Sequence, residues 1–205
     1  GNGTTGTVGV ISSANSLTGN GANQYFGSST YGNIYYYTMS TVAALTNGNF
    51  VVWNRFYSNG TAAVGAVTWA NGATTGSRTV GPQSPTISLV GTVAGDVALR
   101  SFNEDFRYII EPLPNGDYVI RSPQWDNQSI SSDAGAITLA SGTGPITGAI
   151  SETNSLVGDT SNTRLGLANI YTLNDGSFYI QKPSPVPYLT RCVAGGSCNG
   201  TISSS

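Results

Sequence analysis

The sequence predicts an all-β fold built from tandem repeats, and three observations carry that prediction. No apolar pattern of helical period runs for ten residues. Three strand-and-turn blocks recur in one fixed order, and the first of them opens each time on Asn-Gly or Asp-Gly, the dipeptides that best adopt the positive φ angles of tight hairpins.

The first block reads LTNGNFVVWNRFYSN at 45–59, LPNGDYVIRSPQWDN at 113–127 and LNDGSFYIQKPSPVP at 173–187. Its glycines Gly48, Gly116 and Gly176 lie 68 and 60 residues apart. The β-branched and aromatic runs FVV, YVI and FYI after each turn predict strands. The second block, VGAVTWANGATTG at 64–76 and AGAITLASGTG at 134–144, predicts a strand ending in a Gly-rich turn; Gly65 and Gly135 are 70 apart. The third, NSLTG, ISLVG and NSLVG, ends at Gly19, Gly91 and Gly158, with spacings of 72 and 67. A returning strand within GNIYYYTMSTVAAL (32–45) or ALRSFNEDFRYIIEPL (98–113) completes about four antiparallel strands per repeat.

One such sheet cannot bury its own apolar face, so neighbours must cover one another. The expected architecture is a single all-β repeat unit over residues 1–205. Its approximate repeats are 1–63, 64–132 and 133–205, with sheets like β-propeller blades; a multi-sheet β-sandwich is the alternative, because three repeats fall short of the roughly 4 to 8 blades of a propeller. NGTTG at the start matches NGATTG at 71–76, and CNGTISSS near the end matches the region before a GAVTW strand. On this phasing one GAVTW strand is missing. A fragment boundary explains that; so does a neighbouring chain that supplies the strand and strings subunits into a fibre.

Composition narrows the function classes. Charged residues make up 9% of the chain against a usual ~25%, and Gly, Ser, Thr and Asn fill the gap, a surface suited to the outside of a cell. With a net charge of −2, eight basic residues and Lys182 as the one lysine, no stripe neutralises phosphates, so nucleic acid is a poor partner. No run approaches the ~18 apolar residues of a membrane span, and the opening GNGTTGTVGV is unlike a signal peptide, so the chain reads as a mature or excised piece. Cys192 and Cys198 enclose VAGGS, a spacer short and flexible enough for a disulfide that pins the C-terminal tail.

Catalytic chemistry finds little footing. Without histidine a serine triad or a common zinc site is excluded, and no cofactor or metal is expected. Glu104, Asp105, Glu111, Asp117 and Asp126 lie in one repeat, yet no spacing singles out an acid and its partner, so they read as solvated carboxylates and a glycosidase stays remote. Aromatics offer more. Tyr35, Tyr36 and Tyr37 must point to alternate faces of a strand, and Trp53, Trp69 and Trp125 end strands at related places. An aromatic plate edged by Asn, Asp and Arg suits a sugar, which names Tyr35, Tyr36, Tyr37, Trp53, Trp125 and Asp126 as candidate binding residues; the competing reading puts the rings in the core. Asn2, Asn59, Asn127 and Asn199 satisfy Asn-X-Ser/Thr and are candidate glycosylation sites.

NGDYVIRSPQWDN followed by AGAITLASGTG and NSLVG resembles the glycine- and asparagine-rich tandem repeats of large bacterial secreted proteins of the haemagglutinin-like and adhesin-like kind. That resemblance implies an extracellular, non-catalytic surface or filament protein and transfers no site residues. A looser likeness to integrin-type propeller blades would bring calcium loops, but TNGN, PNGD and NDGS hold at most one carboxylate each, Asp117 or Asp175. The expected function is therefore an extracellular structural or adhesive repeat protein, with copies of itself as partners in a possible filament; the alternative is a lectin-like module that binds glycans.

Overall fold

A computed structural model describes residues 10–22, 42–60, 62–72, 78–97, 109–127, 132–182 and 188–202. The described residues form strands, turns and one short 3-10 turn at Leu165–Leu167. All-β repeat architecture is what the sequence predicts, and it is what the chain adopts.

Each module begins at its hairpin. In the first, β2 (Val42–Ala44) and β3 (Phe50–Asn54) are antiparallel and β4 (Ala66–Ala70) continues the meander. In the second, β7 (Ile110–Pro112), β8 (Tyr118–Ser122) and β9 (Ala136–Ala140) do the same, and in the third β12 (Asn169–Thr172), β13 (Phe178–Lys182) and β14 (Tyr188–Cys192). The three hairpins share one turn. The N–H of Leu45, Leu113 and Leu173 donates to the carbonyl four residues on, at 2.8, 2.8 and 2.7 Å, around a glycine with φ of 86°, 94° or 83°. A three-residue loop closed by a left-handed glycine has this form. Asn47, Asn115 and Asp175 each accept from the N–H two residues ahead, at 3.0, 3.1 and 2.9 Å, the local bond that makes Asx residues good turn formers.

Strand exchange joins the modules. β6 (Leu89–Val90) pairs antiparallel with β4, and its other side is taken, in parallel, by β10 (Gly148–Ala149) from the next module. β11 (Leu156–Gly158) likewise lies between β9 and β15 (Gly200–Ile202), and β1 (Leu17–Thr18) pairs in parallel with β5 (Gly81–Pro82). Two five-stranded sheets result, ordered β10-β6-β4-β3-β2 and β15-β11-β9-β8-β7, beside the three-stranded β12-β13-β14.

The sheets pack face to face. Alternate residues of a strand point to opposite faces, and the middle sheet buries both. Tyr118, Ile120, Ala136 and Val157 meet Val51, Trp53, Val67 and Leu89 of the first sheet in one core. Val119, Ile137 and Leu156 meet Phe178, Ile180 and Cys192 of the third in another. Full burial of each such side chain is worth roughly 1.5–3 kcal/mol, which a lone sheet would forgo. No closed barrel or propeller forms among the described residues, and the packing is compatible with the multi-sheet sandwich.

The repeat cuts at 63 and 132 fall between the second and third strands of a sheet. Most of the returning strands at 32–45 and 98–113 lies outside the described residues. And the third sheet has its own GAVTW-type strand: β14, YLTRC, with Thr190 opposite Ile180 as Thr138 is opposite Ile120 and Thr68 opposite Val52. Tyr, Arg and Cys at the flanking positions hide the kinship from composition.

Candidate functional site

Trp53 and Trp125 belong to the core. Trp53 is 3% exposed and its indole N–H donates to the Val97 carbonyl at 2.8 Å. Trp125 is 6% exposed, with an indole N–H that has no hydrogen-bond partner among the described residues. Asp126 braces loops: its N–H donates to Asp96 at 3.2 Å and its Oδ1 accepts from the Asp133 N–H at 2.7 Å. The structure does not bring these three into one open site. Tyr35, Tyr36, Tyr37 and Asn2 lie outside the described residues. Asn59 and Asn199 are exposed and Asn127 is half-buried; the Asn199 amide donates to the Thr153 carbonyl at 2.6 Å, a bond that a glycan would displace.

The carboxylates are occupied in structure. Glu111 accepts from Arg121 at 2.6 Å, and Asp117 accepts from the Gly142 N–H at 3.0 Å; Glu104 and Asp105 fall outside the described residues. Asp96 is fully buried and accepts from the N–H groups of Thr92, Val93 and Asp126 and the Thr92 hydroxyl. Burial pushes its carboxyl above the usual range, against the downward pull of those donors. Asp175 goes the other way, lowered chiefly by the Ser177 N–H. No cluster among the described residues could hold a metal ion. Cys192 and Cys198 form a disulfide, with Cα atoms 5.4 Å apart, which ties the end of β14 to the approach to β15.

The open surface is one that sequence reasoning passed over: the outer face of the third sheet. Register places Tyr171 opposite Tyr179 and Tyr179 opposite Arg191, and beside them Asn169, Gln181 and Leu189. These six side chains share a face because Ile170, Phe178, Ile180 and Cys192 point the other way, into the core. Tyr171 is 52% exposed and Leu189 64%. The Tyr171 hydroxyl donates to Gln181 at 2.9 Å, and the Arg191 guanidinium sits 5.9 Å from the Tyr179 ring. The face is flat, aromatic and edged by hydrogen-bonding groups. Its signal in the sequence is an alternation in FYIQK and YLTRC, visible only once YLTRC is aligned with AVTWA and AITLA through their central threonines.

The equivalent faces of the first two sheets are covered. There a donor at the Gln181 position reaches its own module's loop: Trp53 to Val97, and Arg121 to the carbonyls of Gly166 and Ala168 at 3.3 and 2.8 Å.

The chain matches no curated protein and no solved structure. A family model described as a repeat of unknown function (DUF5650) matches residues 1–28, 44–98 and 112–167. The last two of those segments coincide with the first two structural modules, and the chain belongs to this repeat family.

Proposed function

We propose that the chain is a non-catalytic structural or adhesive repeat protein of the cell exterior, whose modules stack face to face and present a surface. One observation carries the reading. The same face is buried under the following sheet in modules one and two and is bare in module three, where it displays Tyr171, Tyr179, Leu189 and Arg191. A chain with few charges, a disulfide, and carboxylates committed to turns and braces suits a scaffold outside the cell. The likeness to bacterial haemagglutinin-like exoproteins agrees with that role. Immunogold labelling of native material tests it: label along ordered surface fibres supports the scaffold, and label confined to the cytoplasm removes it.

A lectin-like module is the second reading, and the tyrosine plate favours it. A pyranose can stack its C–H face on Tyr171 or Tyr179 while Gln181 and Arg191 take its hydroxyls. A glycan array decides: saturable binding that Tyr171→Ala and Tyr179→Ala abolish, with the circular dichroism spectrum kept, favours the lectin.

A further inference from the structure

Both complete sheets contain a step that the third lacks among the described residues. β4 is flanked by β6 and β9 by β11, with registers Val67↔Leu89 and Ile137↔Leu156. In these pairs the hydroxyl one residue along closes a buried bond, Thr68 to Ser88 at 2.7 Å and Thr138 to Ser155 at 2.6 Å. β14 carries Leu189 and Thr190 where the other two have Val67 and Thr68 or Ile137 and Thr138, and no described strand flanks it. β1 shows the reverse. It carries Ser16 and Leu17 where β6 has Ser88 and Leu89, its parallel partner β5 is in place, and no described strand lies on the side on which β6 meets β4.

Backbone direction makes the two edges complementary. The Ser16 and Thr18 carbonyls accept from Gly81 and Gln83, both at 2.9 Å, so the N–H and C=O of Leu17 point to the open side. The Ser88 and Val90 carbonyls accept from Gly148 and Ile150 in the same way, which turns Leu89 toward Val67. By that pattern the N–H and C=O of Leu189 face the open edge of β14. An unpaired edge of this kind is a template for another strand.

We propose that β14 of one copy of this chain is completed by β1 of a second copy, antiparallel, with Leu189 opposite Leu17 and the Thr190 hydroxyl bonded to that of Ser16. The resulting sheet, β5-β1 from one copy and β14-β13-β12 from the other, has the strand order of the two sheets already complete within the chain. The occupant is a second copy because each edge of the chain matches the other edge of the same chain, residue by residue, and repetition gives a head-to-tail filament. This deepens the scaffold reading and rests on it.

Light scattering of the purified chain across a wide concentration range should show its mean mass doubling and rising further. Leu17→Pro and Leu189→Pro each remove the N–H that the pairing needs, while no described hydrogen bond uses either, so both should hold the protein at monomer mass with an unchanged circular dichroism spectrum. Mixing a Ser16→Cys chain with a Thr190→Cys chain under mild oxidation should give a disulfide-linked pair that mass spectrometry maps to those positions. The cysteine pair contains no proline, so it decides the matter even where a proline unfolds its own strand. Monomer mass at every concentration, assembly indifferent to both prolines, or cross-links mapped elsewhere would overturn the pairing. If native fibres are labelled while the pure chain stays monomeric, the pairing falls and the scaffold reading stands.

Discussion

Ile137 in β9 and Leu189 in β14 hold one address in two sheets, each opposite the fourth residue of the strand after the Asx-Gly turn, yet Ile137 is fully buried and Leu189 is 64% exposed. Leu113 and Leu173 repeat the contrast at the turn, 1% against 37% exposed. Arg121 and Gln181 repeat it again, one buried and the other exposed. The strands, the register and much of the side-chain chemistry are alike. What differs is whether a following sheet lies on top, so burial here belongs to the stack and not to the strand.

That contrast can be broken position by position. Ile137→Ala should cost about 2–5 kcal/mol in denaturant unfolding, because a packed cavity stays open, whereas Leu189→Ala, measured at a concentration where the chain is monomeric, should cost under about 0.5 kcal/mol. Equal losses there would mean that the third face is covered within the monomer. Arg121→Ala should cost about 3 kcal/mol, since it strands Glu111 and two loop carbonyls, while Gln181→Ala should leave the chemical-denaturation midpoint within error.

Smaller effects sharpen the picture at the module ends. Cys192 stands where the covered modules have Ala70 and Ala140. Replacing both cysteines by alanine should cost roughly 2 kcal/mol, seen as a lower melting temperature, because a covalent pin holds a sheet edge that elsewhere is held by a neighbouring strand. Asp96→Asn should cost on the order of 1 kcal/mol, because an amide NH₂ would then face a backbone N–H. It should also change the pH profile. The Asp96 carboxyl is raised in the folded state, so its contribution to stability is fully present below the unfolded value and is lost as pH rises through the folded one. Melting temperature on acidification toward pH ~4 should therefore rise less in the variant than in the parent; an identical profile would remove Asp96 from the account.

Local chemistry announced itself in the sequence. Asn47, Asn115 and Asp175 before their glycines mark three hairpins, and each uses the backbone bond that makes the motif readable. The five-residue gap between Cys192 and Cys198 announced the disulfide in the same way. Other features carry no local signal. Strands as short as Gly148–Ala149 have too few residues to show a period, and their parallel partners lie about one repeat away. Alternation shows that a strand has two faces without saying which is covered, so Trp53 and Trp125 look alike as ligand platforms or core until a second sheet is placed over them. Equivalence can also fail quietly: Ser122 stands where Asn54 does, but Ile150 replaces the Gln83 that bonds Asn54 at 2.7 Å, and the Ser122 hydroxyl is buried without a partner among the described residues.

The sequence by itself determined the all-β class, the period, the turns that start each module and the covalent pin near its end, because all of these depend on residues close together in the chain. Only the tertiary structure decided which face of each sheet is buried, that YLTRC stands in for GAVTW, and that successive modules lend each other a strand. Those outcomes depend on backbone groups and apolar surfaces meeting across a whole repeat, where the hydrogen bond is blind to side-chain identity and burial depends on what has stacked above.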